Sequence, residues 1–243
     1  MKDLIVNKNP KSMFSEAIKT IRTNLAFSSL GDEMTVILNT SPEAGDGKSF
    51  ISANLALAYA DEGKKVLLID CDLRKGRQHE IFNIDNSIMH GYSNLILNYN
   101  KNTKLEEYIV KTENKKVFVI PTGPMPPNPV ELLNSENNKE LLESLRKDYD
   151  IIILDCPPVI GLSDTLVLTK YSDANIVIVS NKKTKLENLQ RTQKAFEQIG
   201  SKITGVIVNK ATSKDSDYYG YYYNDSYYTE EKKKKTKKKI RRK

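Results

Sequence analysis

The sequence predicts an α/β fold, a doubly wound and mainly parallel sheet flanked by helices. Three observations carry this: short apolar runs rich in β-branched residues recur along the chain, segments of helical periodicity separate them, and a glycine-rich loop follows the first run. Continuous rather than alternating apolar runs mark strands covered on both faces. Strand and helix in alternation imply right-handed crossovers and a parallel sheet. With 243 residues and 39% apolar content, the chain suffices for one large packed domain and a smaller unit.

In chain order the strand runs are "TVILNT" (35–40), "KVLLID" (65–70), "KVFVIP" (116–121), "DIIILD" (150–155), "NIVIVS" (175–180) and "ITGVIVN" (203–209). Helical patterns cover 49–62, 130–147 and 185–200. Ligands in such a fold bind at the carboxyl ends of the strands, so the residues just after each run are the candidates. Periodicity ends near Thr212, which sets a body of residues 1–212. Residues 213–243 read as a disordered tail of two blocks, a tyrosine cluster "DYYGYYYNDSYY" (217–228) and a lysine-rich end.

The net charge of +7 belongs to that tail: residues 229–243 hold eight Lys and two Arg against two Glu, a net +8 that leaves −1 for everything before them. The body lacks a basic excess, so no nucleic-acid partner is expected. Cys71 and Cys156 stand far apart with no CxxC pairing, against a disulfide scaffold or a zinc site. No apolar stretch is long enough to cross a bilayer and no signal-peptide pattern opens the chain, so a cytoplasmic location is expected.

After the first strand comes "SPEAGDGKS" (41–49) and then a helix. Glycines, lysine, hydroxyl and helix N-terminus together form a phosphate cradle. The candidate ATP-binding segment is Ala44, Gly45, Asp46, Gly47, Lys48, Ser49 and Phe50, with backbone N–H groups around the β-phosphate, Lys48 on the β- and γ-oxygens, and Ser49 on Mg²⁺. The pattern G-x-x-x-x-G-K-[ST] departs at one place, where Pro42 replaces the first Gly. An ordinary strand-to-helix turn leaves the adjacent Lys and Ser unexplained.

Two further strands end in acids: "LLIDCDLRKG" (67–76) delivers Asp70 and Asp72, and "IIILDCPPV" (151–159) delivers Asp155. One Asp at a strand end is usually a cap or turn former. Three beside a triphosphate repel one another unless a cation joins them, so Mg²⁺ is implied.

The phosphate loop, "LLIDCDLR" and "ILDCPP" resemble the bacterial tyrosine kinases of capsule and exopolysaccharide operons, in their cytosolic kinase-subunit form. There the motifs are called Walker A, A′ and B, on a P-loop NTPase fold. "EAIKTIRTNL" (16–25) is similar to the family's E-x-x-R-x-x-R segment, with Lys19 for the first Arg, and "PTGPMPPNPVELLNSE" (121–136) to its proline-rich signature. "DTLVLTKYSDANIVIV" (164–179) and "GVIVNK" (205–210) extend the likeness over most of residues 10–212. The related partition and division-site ATPases carry a Lys where this chain has Glu43, of opposite sign.

The resemblance implies Asp70 as the catalytic base, with Asp72 and Lys48 as catalytic partners, Ser49, Asp70 and Asp155 on the metal side, and Asn209 at the adenine. It implies self-association into a ring through Glu16, Lys19 and Arg22, which share a helix face. A membrane-protein activator of polysaccharide co-polymerase type, a cognate tyrosine phosphatase and a peripheral place at the inner membrane face also follow. The tyrosine cluster becomes the enzyme's own substrate: Tyr218, Tyr219, Tyr221, Tyr222, Tyr223, Tyr227 and Tyr228 are the candidate acceptors, presented in trans. Each phosphate adds about −1.5 to −2 charges, so a few offset the lysine block. That block serves either as a loose tether to anionic lipid or as a solvated tail. Two alternatives stay open, a regulatory P-loop ATPase that controls assembly without phosphotyrosine, and an inactive nucleotide-binding scaffold.

Overall fold

Each recurrent apolar run becomes a strand of one sheet. In the computed structural model, which describes residues 4–28, 34–85 and 90–211, the strands are β1 (Val36–Thr40), β2 (Val66–Asp70), β3 (Val110–Lys111), β4 (Val117–Ile120), β5 (Ile151–Asp155), β6 (Ala174–Ser180) and β7 (Gly205–Asn209). Their order across the sheet is β3-β4-β2-β5-β1-β6-β7, all parallel except the short β3 at one edge. The α/β, mainly parallel architecture is as the sequence predicts. Two residues of β3 are too few to show as a periodic run.

The helices are α1 (Ile5–Lys8), α2 (Met13–Ser28), α3 (Lys48–Asp61), α4 (Gln78–Phe82), α5 (Tyr92–Asn98), α6 (Pro129–Leu133), α7 (Glu136–Leu145), α8 (Asp164–Leu168) and α9 (Leu186–Gln198). The single helix predicted over 130–147 is two. Pro129 opens α6, and the Ser135 hydroxyl restarts the chain as the N-cap of α7, accepting from the Asn138 N–H at 3.3 Å.

Alternate residues of the same strands enter two separate cores. Ile37, Leu68 and Ile153 pack with α1, α2 and α3, whereas Val36, Leu38, Leu67, Ile69 and Leu154 pack with α5 and α7. Both faces are covered, which is why the runs are continuous and not alternating. Helix α3 lies against the sheet with Ile51 through Ala60 all buried, so its sequence is apolar all round. β7 departs from this pattern: it is an edge strand, and Val206 and Val208 remain 47% and 57% exposed.

The chain divides into two units, residues 1–209 and 210–243. The expectations for the tyrosine cluster and lysine block fall on residues outside the described ones. Among the described residues no helix is long and apolar enough to cross a membrane.

Candidate active site

The phosphate loop spans the gap between β1 and α3. Gly45 and Gly47 have φ of 84° and 97°, in the left-handed region. At Gly47 a Cβ would also collide with the Asn209 side chain. Position 42 needs no such freedom, and the Pro42 carbonyl accepts from the Ile160 N–H at 3.3 Å beside a Ser41–Val159 bond of 3.0 Å. The departure from the glycine pattern therefore sits in a hydrogen-bonded bend after β1.

Asp46 shapes the loop from within. Fully buried, it accepts from the Glu43 N–H at 3.2 Å and from the Thr184 hydroxyl at 2.9 Å. Its carbonyl accepts from the Asn209 amide at 2.9 Å, and Lys183 donates to the Ala44 carbonyl at 2.9 Å. The connection after β6 and the end of β7 thus clamp the loop that follows β1. Lys183 and Thr184 give no motif signal in the sequence, because only strand order brings their loop here. Phe50, by contrast, turns its ring toward α2, 5.0 Å from the Phe14 ring centroid.

Register assembles the acids. Asp70 and Asp155 are paired residues on adjacent β2 and β5, and Asn39 of β1 pairs with Asp155 on the other side. Lys48, at the start of α3, donates to Asp72 at 3.0 Å and stands 3.8 Å from Asp155. Burial disfavours its ammonium, but the charges of Asp155, Asp72 and Asp70 outweigh that and raise its pKa. Asp70 is pushed up to about 8, by burial first and then by the Asp155 charge, against the opposing Gln78 N–H and Lys48. Three carboxylates share one ammonium, a surplus of negative charge that fits a divalent cation.

Among the described residues no group of three or more acid, His or Cys side chains converges as a metal-ligand cluster. Mg²⁺ typically takes one or two protein oxygens and fills its shell with phosphates and water. Gln78 ties the Ser49 turn to Asp155, donating to the Ser49 carbonyl at 3.1 Å and to Asp155 Oδ2 at 2.8 Å.

Residues that carry no motif complete the site. The Gln78 N–H donates to Asp70 Oδ2 at 2.9 Å, and a Cβ at Gly76 would lie 2.6 Å from that same oxygen. Glycine at 76 thus lets the backbone close over Asp70. Arg74 forks onto the fully buried Asp164, Nε and Nη2 at 3.1 and 3.4 Å. The proline-rich stretch is tied in as well, since Thr122 donates to the Asp72 carbonyl at 3.0 Å. At Gly91 a Cβ would lie 2.6 Å from the Pro121 carbonyl and collide with Gly123, so α5 docks on this stretch backbone to backbone.

The helix-face triad lies elsewhere, on α2. Lys19 pairs with Glu16 at 2.8 Å, while Arg22, 13% exposed, donates to the Ala58 carbonyl at 2.6 Å and pairs with Glu62. In this chain Arg22 is turned onto α3. The candidate acceptors Tyr218–Tyr228 lie outside the described residues.

Comparison with known proteins identifies the family. The family model described as AAA domain matches residues 34–208. The chain is 39% identical over 221 residues to "Tyrosine-protein kinase YwqD" of Bacillus subtilis (strain 168), covering 90% of this chain and 91% of that protein. It is 35% identical to "Putative tyrosine-protein kinase CapB" of Staphylococcus aureus, covering 90% and 94%. Among solved structures, the chimerical protein CapA2B2 superposes with a TM-score of 0.80 at 35% identity, over 87% of this chain and 91% of that one.

Proposed function

The chain belongs to the bacterial tyrosine-kinase family, and we propose that it is an ATP- and Mg²⁺-dependent protein-tyrosine autokinase that phosphorylates its own C-terminal tyrosine cluster in trans. The observation that carries the reading is the convergence of Lys48, Asp70, Asp72 and Asp155 at the mouth of one phosphate loop.

In this reading ATP is the phosphoryl donor. The loop from Ala44 to Ser49 holds its phosphates, and Asn209, anchored on the Asp46 carbonyl, contacts the base. A tyrosine Oη attacks the γ-phosphorus, the bond to the ADP oxygen breaks, and the phenolic proton passes to Asp70. A phenol's pKa is near 10, so an acceptor with raised proton affinity suits it better than an ordinary carboxylate. Burial and the Asp155 charge supply that rise at Asp70. Lys48 stabilises charge developing on the transferring group, and Asp72 aligns Lys48. Mg²⁺, when bound on the Ser49 and Asp155 side, supplies charge neutralisation of the phosphates.

Residues 1–212 form the kinase domain in this reading, and 213–243 carry substrate tyrosines and basic residues. The family resemblance supports a membrane-protein activator, ring-like self-association, a partner phosphatase and control of capsule or exopolysaccharide synthesis or export.

The test incubates the purified chain with ATP and Mg²⁺, with and without an activator's cytosolic segment, and maps phosphate by mass spectrometry. Lys48→Met and a chain truncated before Ser213 run alongside. Phosphate on Tyr218–Tyr228, lost in Lys48→Met, is the expected result. ATP hydrolysis without phosphotyrosine, unchanged by truncation, would overturn it and leave the regulatory ATPase.

A further inference from the structure

Gln78 has no motif to announce it, yet it touches two of the three acids and the turn that follows Lys48. Its backbone N–H donates to Asp70 Oδ2 at 2.9 Å. Its side-chain nitrogen donates to the Ser49 carbonyl at 3.1 Å and to Asp155 Oδ2 at 2.8 Å. The residue is fully buried, and its amide oxygen has no hydrogen-bond partner among the described residues. The orientation of the amide is fixed by chemistry: reversing it would set its oxygen against two acceptors. A buried acceptor without a donor is costly, and each such group calls for an explanation.

We propose that Gln78 is a positioning residue that couples the phosphate loop to the metal side of the site. Its nitrogen holds Asp155 to the Ser49 turn of α3, and its free oxygen accepts from a water molecule that arrives with Mg²⁺. An apolar replacement of equal volume would lose both roles. A glutamate would keep an acceptor but set a carboxylate against Asp155. Asparagine is too short to span from α4 to both partners. Partners of this kind, which touch a ligand and not the metal, typically change metal affinity or activity by about 10–100-fold.

This inference rests on the nucleotide and Mg²⁺ part of the proposed function, and its test is independent of tyrosine transfer. ADP affinity is measured by calorimetry with and without Mg²⁺ for the full chain, Gln78→Met and Gln78→Ala, with circular dichroism confirming the fold of each. The expected result is that the gain in ADP affinity from Mg²⁺ falls by about tenfold or more, a loss larger than any change in Mg²⁺-free binding. Should either folded variant keep the full gain, the inference is overturned. An equal loss of affinity with and without Mg²⁺ also overturns it, since that marks a merely structural role. An unsubstituted chain that makes no phosphotyrosine even with the activator's cytosolic segment, but whose Mg²⁺-linked gain is lost on substitution, keeps this inference and sinks the kinase.

Discussion

Asp70 and Asp155 face each other as register partners at the ends of adjacent parallel strands, and the next backbone N–H, that of Cys71, donates to the Asp155 carbonyl at 3.0 Å. Main-chain bonds thereby hold side by side two acids that arise 85 positions apart in the sequence. The two are assigned different tasks. Asp70→Asn is expected to lower tyrosine transfer by about 10²–10⁴-fold, the range for a lost general base. ADP affinity should change only a few-fold, as calorimetry on the same preparation will show. A comparable loss of ADP binding would argue for a metal or folding role instead.

Gly47 and Asn209 form a second such pair. The left-handed φ of 97° makes any side chain at 47 strained by about 1–2 kcal/mol, before its collision with the Asn209 amide is counted. Gly47→Ala is expected to weaken ADP binding at least tenfold. In Gly47→Ala/Asn209→Ala the collision is gone and the strain remains, so thermal stability should recover in part and ADP affinity should not.

Arg74 and Asp164 test a partly buried ion pair. Arg74 is 31% exposed and Asp164 wholly buried, so removing the guanidinium strands an acid away from water. Arg74→Ala is expected to cost about 1–3 kcal/mol in urea unfolding, the penalty for an unsatisfied buried group. Arg74→Lys should recover little, because an ammonium cannot repeat the two-pronged contact. Coupling close to zero in a double-mutant cycle with Asp164→Ala would count against the pair.

Asp173 links three elements at the far end of the sheet. It accepts from Arg146 at 2.8 and 2.9 Å and from the N–H groups of Thr35 and Val36 at 2.9 and 2.7 Å. Burial alone would raise its pKa, but the Arg146 and backbone donors outweigh it and hold the carboxyl below the usual range. A carboxyl whose folded pKa is depressed stabilises the fold above its unfolded value of about 3.9, and that stability is lost as pH falls through the folded value. Asp173→Asn should therefore cost about 1–2 kcal/mol at pH 7. The difference from the unsubstituted chain should shrink as pH falls from 5 toward 3, measured by denaturant unfolding at each pH. A gap that stays constant with pH would show that the charge contributes nothing.

The sequence by itself determined the fold class, the phosphate loop and the identity of the acids. Those signals are local: a strand covered on both faces must be apolar throughout, as Val36–Leu38 and Ile151–Leu154 are, and a phosphate cradle needs glycine, lysine and hydroxyl at fixed spacing. Strand order, and with it the company each acid keeps, was decided only by tertiary structure. Placing β5 between β1 and β2 brings Asp155 beside Asp70, and placing β7 outside β6 brings Asn209 under the phosphate loop. Lys183, Thr184 and Gln78 join the site through hydrogen bonds from segments remote in sequence, and an isolated polar residue leaves no periodic trace. Arg22 differs in kind: its helix face was legible, but whether it points outward or onto the Ala58 carbonyl depends on how α2 rolls against α3, which packing alone decides.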